Sequence, residues 1–358
     1  MVGPEDRGTR PQGRGVETVG PGHGHRGPAR PAVGVSAVAD PLLGERGRLF
    51  ALSYRMLGVA EEAEDIVQEA YLRWYAQPRP DVQNPRAFLA TVAAHLCLDH
   101  LRSARHRRER YPGVWLPEPL PSSEIDTGDP VEAADGRTPE HDLERLESVS
   151  LAFLSLLQTL SPLERAVYVL ADVFDYSHAE VAAMLERTPE ACRQALRRAR
   201  KRLAAGKRDA APAQKHRALL ESFIAACRSG DLDGLAKLLA EDVESRADGG
   251  GFVSAAAKPV VGVRAVSRLY AGLSNQIPAN LAVRIENVNG GPTALLSSGG
   301  VLLSVLQIQV QGERIVRIDN VINPQKIARV AKAFGMGTGS VESAGETSRP
   351  AIPKRFER

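Results

Sequence analysis

Residues 161–203 read SPLERAVYVLADVFDYSHAEVAAMLERTPEACRQALRRARKRL, and this stretch decides the fold class of the first half of the chain. Ser161, followed by Pro162 and with Glu164 at the third helical position, carries the marks of a helix start. Ser177 and Glu180 repeat the box and open a short helix whose apolar positions are Val181, Ala182 and Leu185. A turn at Glu186 to Thr188 leads into Thr188-Pro189-Glu190, which caps a longer helix. Short helix, tight turn and longer helix make a helix-turn-helix. On the last helix Cys192, Ala195, Leu196, Ala199 and Leu203 step by three and four, which predicts a buried stripe. The outward face is then Arg193, Gln194, Arg197, Arg198, Lys201 and Arg202. Arg and Gln on such a face form paired hydrogen bonds with guanine and adenine edges in the major groove, while the remaining cations neutralise phosphate.

Upstream, helical spacing extends over residues 41–110. Leu49, Leu52, Met56 and Leu57, then Ile66, Val67, Ala70 and Leu72, recur at three- and four-residue steps. Beyond the break at Gln77-Pro78-Arg79-Pro80, a third helix carries Leu89, Val92, Ala93 and Leu96 on one face. It ends among Arg102, Arg105, Arg107, Arg108 and Arg110. Asp65, Gln68 and Glu69 fall near one helical face, an acidic, amide-bearing patch suited to a basic partner helix.

These segments carry a resemblance. Asp65-Ile66-Val67-Gln68-Glu69-Ala70-Tyr71-Leu72-Arg73-Trp74 resembles the core-polymerase-binding helix of sigma region 2. Asn84-Pro85-Arg86-Ala87-Phe88-Leu89, running on to Leu98-Asp99-His100-Leu101-Arg102, resembles the helix that engages the −10 element. Residues 161–203 resemble region 4, which reads the −35 element. Two separate domains match in the expected order, so the chain resembles an extracytoplasmic-function sigma factor of the sigma-70 family. The resemblance implies two partners: the RNA polymerase core, through its β′ clamp helices and β flap, and promoter DNA. It makes Asp65, Gln68 and Glu69 core-binding residues, and Asn84, Arg86, Arg102 and Arg105 contacts to the −10 element. Arg193, Gln194, Arg197, Arg198 and Lys201 become the −35 recognition set. The loop at 77–84 falls where family members capture a flipped base, a task that needs a rigid pocket rather than a metal or nucleophile.

Residues 111–142 are rich in Pro, Asp and Glu and read as a linker. Within it, Tyr111-Pro112-Gly113-Val114-Trp115-Leu116-Pro117-Glu118-Pro119-Leu120 places Trp and Leu among prolines, a pattern that suggests docking into a groove. The string matches a motif of sigma factors that carry a fused SnoaL-like domain. Past 213 the spacing changes. Helices at 215–228 and 231–240 precede alternating segments around 242–247, 281–288, 293–297, 301–310 and 314–322, with a short helix at 263–274. Turns at Asn289-Gly290-Gly291, Gly299-Gly300 and Gln311-Gly312-Glu313 make the last four strands an antiparallel meander. This part resembles a SnoaL-like (NTF2-like) cone. The family's Asp-Gly-Gly-Gly motif stands at Asp248-Gly249-Gly250-Gly251, followed by Phe252 where many members have Lys, and an Asn-Pro-x-Lys element stands at Asn323-Pro324-Gln325-Lys326. The resemblance implies that Trp115, Leu116, Pro117, Glu118, Asp248, Gly249, Gly250, Gly251, Asn323 and Pro324 join the domains and tune activity.

The expected organisation is multidomain: a disordered extension at 1–39, sigma region 2 at 40–110, the linker at 111–142 and the region 4 helix-turn-helix at 143–208. An α+β SnoaL/NTF2-like cone at 213–330 and a flexible tail at 331–358 complete it. Cys97, Cys192 and Cys227 lie far apart in apolar helical patterns, which suits buried thiols and offers no metal spacing. No cofactor is expected. No apolar run approaches the roughly 18 residues of a membrane span, so a cytoplasmic protein without a membrane partner is expected. The cone's concavity admits a small-molecule ligand. The competing reading is a SnoaL-like enzyme or ligand sensor fused to a DNA-binding module, with Asp248 or Asp319 as its carboxylate. No His/Asp pair or oxyanion donor set accompanies either residue.

Overall fold

Three helices open the architecture: α1 (Arg46–Leu57), α2 (Ala60–Tyr75) and α3 (Pro85–Glu109). Gly58 stops α1 in the left-handed conformation, and a Cβ there would sit 2.9 Å from the Trp115 ring. Glycine thus ends the helix and makes room for the linker. The computed structural model describes residues 43–76, 82, 84–109, 111–125, 148–206, 212–274 and 277–339. The expectations for 1–39, for most of the 77–84 loop, for 126–147 and for 340–358 lie outside the described residues.

The second helical set is α4 (Leu151–Leu157), α5 (Pro162–Tyr168), α6 (His178–Met184) and α7 (Pro189–Gly206), with a π-helical turn at Val169–Val173 after α5. Both capping boxes form, Ser161 with Glu164 and Ser177 with Glu180. Of the helix expected over 143–160, residues 143–147 lie outside the described residues; 148–150 are not helical, and α4 begins at Leu151, where the Ser150 hydroxyl caps it by accepting from the Phe153 N–H at 3.1 Å. Two separate helical units are expected from sequence, yet they share one core. Leu52, Leu57, Val67 and Ala93 pack in the same cluster as Leu154, Val167, Val181 and Leu196. Buried Arg165 reinforces the junction, donating to the Met56 carbonyl at 2.7 Å and to Gln158 Oε1 at 2.8 Å.

The third part begins with α8 (Ala213–Ser229) and α9 (Leu232–Leu238). Its sheet comprises β1 (Leu239–Asp248), β2 (Val260–Val261), β3 (Leu281–Val288), β4 (Gly291–Ser298), β5 (Val301–Gln311) and β6 (Arg314–Val321), with α10 (Val263–Leu273) inserted. Strand order is β2-β1-β6-β5-β4-β3. β3 to β6 form the expected antiparallel meander, whereas β1 lies parallel to β6, with Ser245 opposite Ile318. Residues 239–240, expected at a helix end, already belong to β1. One face of the sheet packs against Phe223, Val266 and Tyr270; the other packs against α11 (Pro324–Ala333) and the linker. The tail expected from 331 is corrected: Ala331 and Val330 are buried in α11, and β7 (Gly337–Thr338) pairs in parallel with β5. Together these helices and this curved mixed sheet make an α+β NTF2-like cone.

The described part of the linker, 111–125, is no polar spacer. Leu116 is buried in the third part's core with Val305 and Ile327, while Leu120 and Ile125 are buried in the helical core. The described residues within 40–358 accordingly form one compact unit. Among the described residues no helix is long and apolar enough to cross a membrane, and no His/Cys/Asp/Glu group is placed to hold a metal. Leu120→Ala is expected to lower the unfolding free energy by about 2–5 kcal/mol in a urea titration. A loss below about 0.5 kcal/mol, the range of an ordinary surface substitution, would contradict the linker's place in the core.

Candidate nucleic-acid interface and interdomain clamp

The Thr188 hydroxyl accepts from the Ala191 N–H at 3.2 Å and starts α7 as its sequence suggests. Cys192, Ala195, Leu196, Ala199 and Leu203 are all buried, and Arg193, Gln194, Arg197, Arg198, Lys201 and Arg202 are all exposed. The outward side chains are not equivalent. Arg193 and Gln194 bond Glu190 one turn back on α7, at 2.7 Å and 3.1 Å. Arg198 and Arg202 both reach Glu164 on α5, at 2.8 Å and 2.6 Å. Arg200 forms a two-point pair with Asp172 at 2.7 Å and 2.8 Å. Arg197 and Lys201 have no ion-pair partner among the described residues.

On α2, Asp65 and Gln68 are exposed, and Glu69 is half-exposed and paired with Arg73 at 2.8 Å. The same face continues through Leu72 and Tyr75, which are 58% and 59% exposed. The sequence reading assigned Leu72 to the buried stripe, and it is corrected here: position 72 follows Asp65 and Gln68 at helical spacing. Asn84 caps α3, its Oδ1 accepting from the Ala87 N–H at 3.0 Å. Arg86 pairs with Glu45 at 3.2 Å and Arg102 with Asp99 at 2.9 Å. The side chain of Arg105 lies outside the described residues.

α3 packs directly on the helix-turn-helix. His95 Nε2 lies 2.6 Å from the Met184 carbonyl oxygen. A crevice of about 380 Å³ runs between Leu98, Asp99 and Arg102 on α3 and Leu185, Glu186 and Arg187 at the turn. Of the residues expected to touch DNA, Arg102 lies at this crevice, whereas the −35 set on α7 does not line it.

The interdomain residues meet at a buried carboxylate. Asp248 accepts from the Tyr111 hydroxyl at 2.6 Å, the Leu116 N–H at 2.8 Å and Lys326 Nζ at 2.7 Å. Lys326 also donates to the Leu116 carbonyl at 2.5 Å and stands 4.2 Å from the Trp115 ring centroid. The glycines after Asp248 serve close approach. A Cβ on Gly250 would lie 2.1 Å from Asn323 Nδ2, and one on Gly251 would lie 2.9 Å from Pro112. Gly249 is confined by the Val253 carbonyl, 2.1 Å from the position of its missing Cβ. Asn323 caps α11 through the Gln325 N–H, Pro324 takes the first helical position, and Asn323 Nδ2 donates to the Tyr111 hydroxyl at 3.0 Å. Phe252 is exposed, and the cation that Asp248 meets is Lys326.

Asn289, read from sequence only as a turn residue, is fully buried at the β3–β4 tip with φ 50°. Its amide donates to the Tyr54 hydroxyl at 2.9 Å and to the Val149 carbonyl at 2.8 Å. Its Oδ1 accepts from the Leu120 N–H at 2.8 Å, and its own N–H donates to the Leu120 carbonyl at 2.9 Å. One residue thus bonds α1, the linker and the segment leading into α4. Arg329 of α11 adds ion pairs to Glu64 of α2, at 2.6 Å, and to Glu124. Glu118 turns the other way: its carboxylate accepts from the Ala60 N–H at the start of α2 at 2.7 Å, and its carbonyl accepts from Tyr54 at 2.5 Å. Pro117 is buried beside it.

Neither carboxylate considered for catalysis is free. Asp248 has the three donors above, and Asp319 is held by Arg246 through two 2.7 Å bonds. The helix-covered face of the sheet is packed by Leu220, Phe223, Tyr270 and Ile318.

Comparison with known proteins follows the same division. The Sigma-70 region 2 family matches residues 44–107, and the Sigma-70, region 4 family matches residues 150–203. The chain is 38% identical over 249 residues to the ECF RNA polymerase sigma factor SigJ of Mycobacterium tuberculosis, covering 68% of this chain and 76% of that one. It is 32% identical over 299 residues to the probable ECF RNA polymerase sigma factor SigI of the same organism, covering 82% and 95%. The crystal structure of Mycobacterium tuberculosis SigJ superposes with a TM-score of 0.59 at 31% identity, over 79% of this chain and 96% of that chain.

Burial pushes the Glu118 carboxyl up to about 7, against the opposing pull of the Ala60 N–H, Arg329 and Lys326. A carboxyl raised in the folded state contributes stability at low pH that is lost as pH climbs through its folded value. Between the ordinary value of 4.5 and about 7, the native state should therefore lose on the order of 2–3 kcal/mol from this group. Glu118→Gln keeps a carbonyl for Ala60 and is expected to flatten that slope in denaturant titrations at pH 5 and pH 8. Equal pH dependence in both proteins would contradict it.

Proposed function

The chain belongs to the extracytoplasmic-function RNA polymerase sigma factors, and from that premise we propose how its parts divide the work. As a sigma factor it binds the polymerase core and directs it to promoter DNA, in the cytoplasm where polymerase acts. Asp65, Gln68 and Glu69, extended by Leu72 and Tyr75, dock on the β′ clamp helices: an acidic rim around two exposed apolar side chains suits a basic helical partner. The second helical set takes the β flap. Asn84, Arg86, Arg102 and Arg105 serve the −10 element, and α7 serves the −35 element, with Arg197 and Lys201 as the cations that have no ion pair among the described residues.

The third domain acts as a built-in regulator that holds the two promoter-reading parts together. One observation carries this reading: α3 meets the helix-turn-helix at His95 and Met184, while buried Asn289 bonds both helical sets at once. Elements centred at −10 and −35 lie about 25 base pairs apart, roughly 85 Å at ~3.4 Å each. With α3 resting on the helix-turn-helix, the two reading parts lie too close to span that distance, so the chain must open before both elements are bound. The Asp248–Lys326–Trp115 clamp anchors the linker to the third domain during that change. The enzymatic alternative is not favoured, since the carboxylates it needs serve the clamp and an internal ion pair.

Asn289→Gly retains the left-handed backbone and removes the amide. Each buried hydrogen bond lost is worth about 0.5–1.5 kcal/mol, so a several-fold rise in run-off transcription is expected, with limiting chain, core polymerase and a promoter the holoenzyme selects from a randomised pool. Unchanged or lower output from a folded variant would contradict the restraint.

A further inference from the structure

The recognition helix carries more cations than it presents freely, and their restraint follows a pattern. With 100° per residue, Gln194, Arg197 and Lys201 lie opposite the buried stripe, while Arg198 and Arg202 fall on one flank and Arg193 and Arg200 on the other. Each flank is tied down. Glu164 takes Arg198 and Arg202, Asp172 takes Arg200, and Glu190 takes Arg193. Glu164 is the strongest of these anchors. Its side chain is only 5% exposed, whereas those of Arg198 and Arg202 are 55% and 52% exposed. It cannot turn away, because Oε2 also accepts from the Ser161 N–H at 3.1 Å and the Ser161 hydroxyl at 2.9 Å.

We infer that Glu164, with Asp172 on the opposite flank, is a positioning residue that sets the specificity of promoter reading by withholding flank arginines from indiscriminate phosphate contact. The inference rests on the assignment of α7 to DNA. A free arginine on a recognition helix neutralises any phosphate within reach and raises affinity for every sequence alike. Arginines fixed on a buried carboxylate contribute little to that background, so discrimination falls to the central ridge of Gln194, Arg197 and Lys201. Glu164 thereby joins two tasks, because the carboxylate that completes the α5 capping box is the one that restrains α7.

Glu164→Gln separates the tasks, since Gln serves in a capping box but carries no charge. The probe is a fluorescent 40-base-pair duplex of random sequence, titrated with the full chain at several salt concentrations. Each new phosphate contact steepens the dependence of log K on log salt by about 0.9. Glu164→Gln is expected to bind this duplex more tightly, with a slope steeper by about 1–2. Asp172→Asn, which releases Arg200 alone, should steepen it by about one. In holoenzyme, preference for a selected promoter over random DNA should fall several-fold with either variant. Salt-dependent binding by the unaltered chain tests the assignment of α7, and its absence would remove that premise. If that binding is present and neither variant changes the slope, Glu164 and Asp172 are merely structural and the inference fails. Should Glu164→Gln prove unfolded by circular dichroism, the Asp172→Asn slope decides.

Discussion

A buried primary amide in the left-handed conformation holds this molecule together. Asn289 reaches an α1 tyrosine, the carbonyl ahead of α4 and both backbone groups of Leu120. Buried amides are costly unless every donor and acceptor is matched. These partners come from three distant parts of the chain, so the amide is satisfied only when all three are in place. The linker is stitched to both helical sets by that simultaneous requirement, beside the apolar core that the helical sets share.

The Asp248 cluster supports the same arrangement by different chemistry. A carboxylate out of water needs compensation, and it receives a phenol, a backbone N–H and an ammonium. The ammonium is in turn placed over the Trp115 ring and against the Leu116 carbonyl, so the linker is gripped through its backbone as well as its side chains. Gly250 and Gly251 permit this by leaving out side chains where Asn323 and Pro112 approach. A sequence motif of one acid and three glycines thus becomes a docking cradle for a passing strand.

Much of this was legible in the sequence because its signals are local. The capping boxes at Ser161 and Ser177 and the three–four stepping of Cys192 to Leu203 describe neighbours along a helix, and the structure forms them as read. The meander from β3 to β6 was legible for the same reason, through period-two alternation and glycine turns. What the sequence did not disclose depends on residues far apart. Asn289 reads as an ordinary turn former until Tyr54 and Val149 surround it. The Asn-Pro-x-Lys element marks Lys326, but its pairing with Asp248, 78 positions earlier, is not visible in any local pattern. The docking of Trp115 and Leu116 was legible from the prolines around them, but the surfaces that receive them, and the burial of Leu120 in the helical core, were not.

The central claim is that the free chain keeps its two promoter-reading parts together and that polymerase and promoter pull them apart. Spin labels on α3 near Arg102 and at the turn near Arg187, in otherwise intact chain, measure this by electron–electron distance spectroscopy. The account predicts one short distance in the free chain and a much longer one in complex with core polymerase and promoter DNA. The same short distance in both states would contradict it.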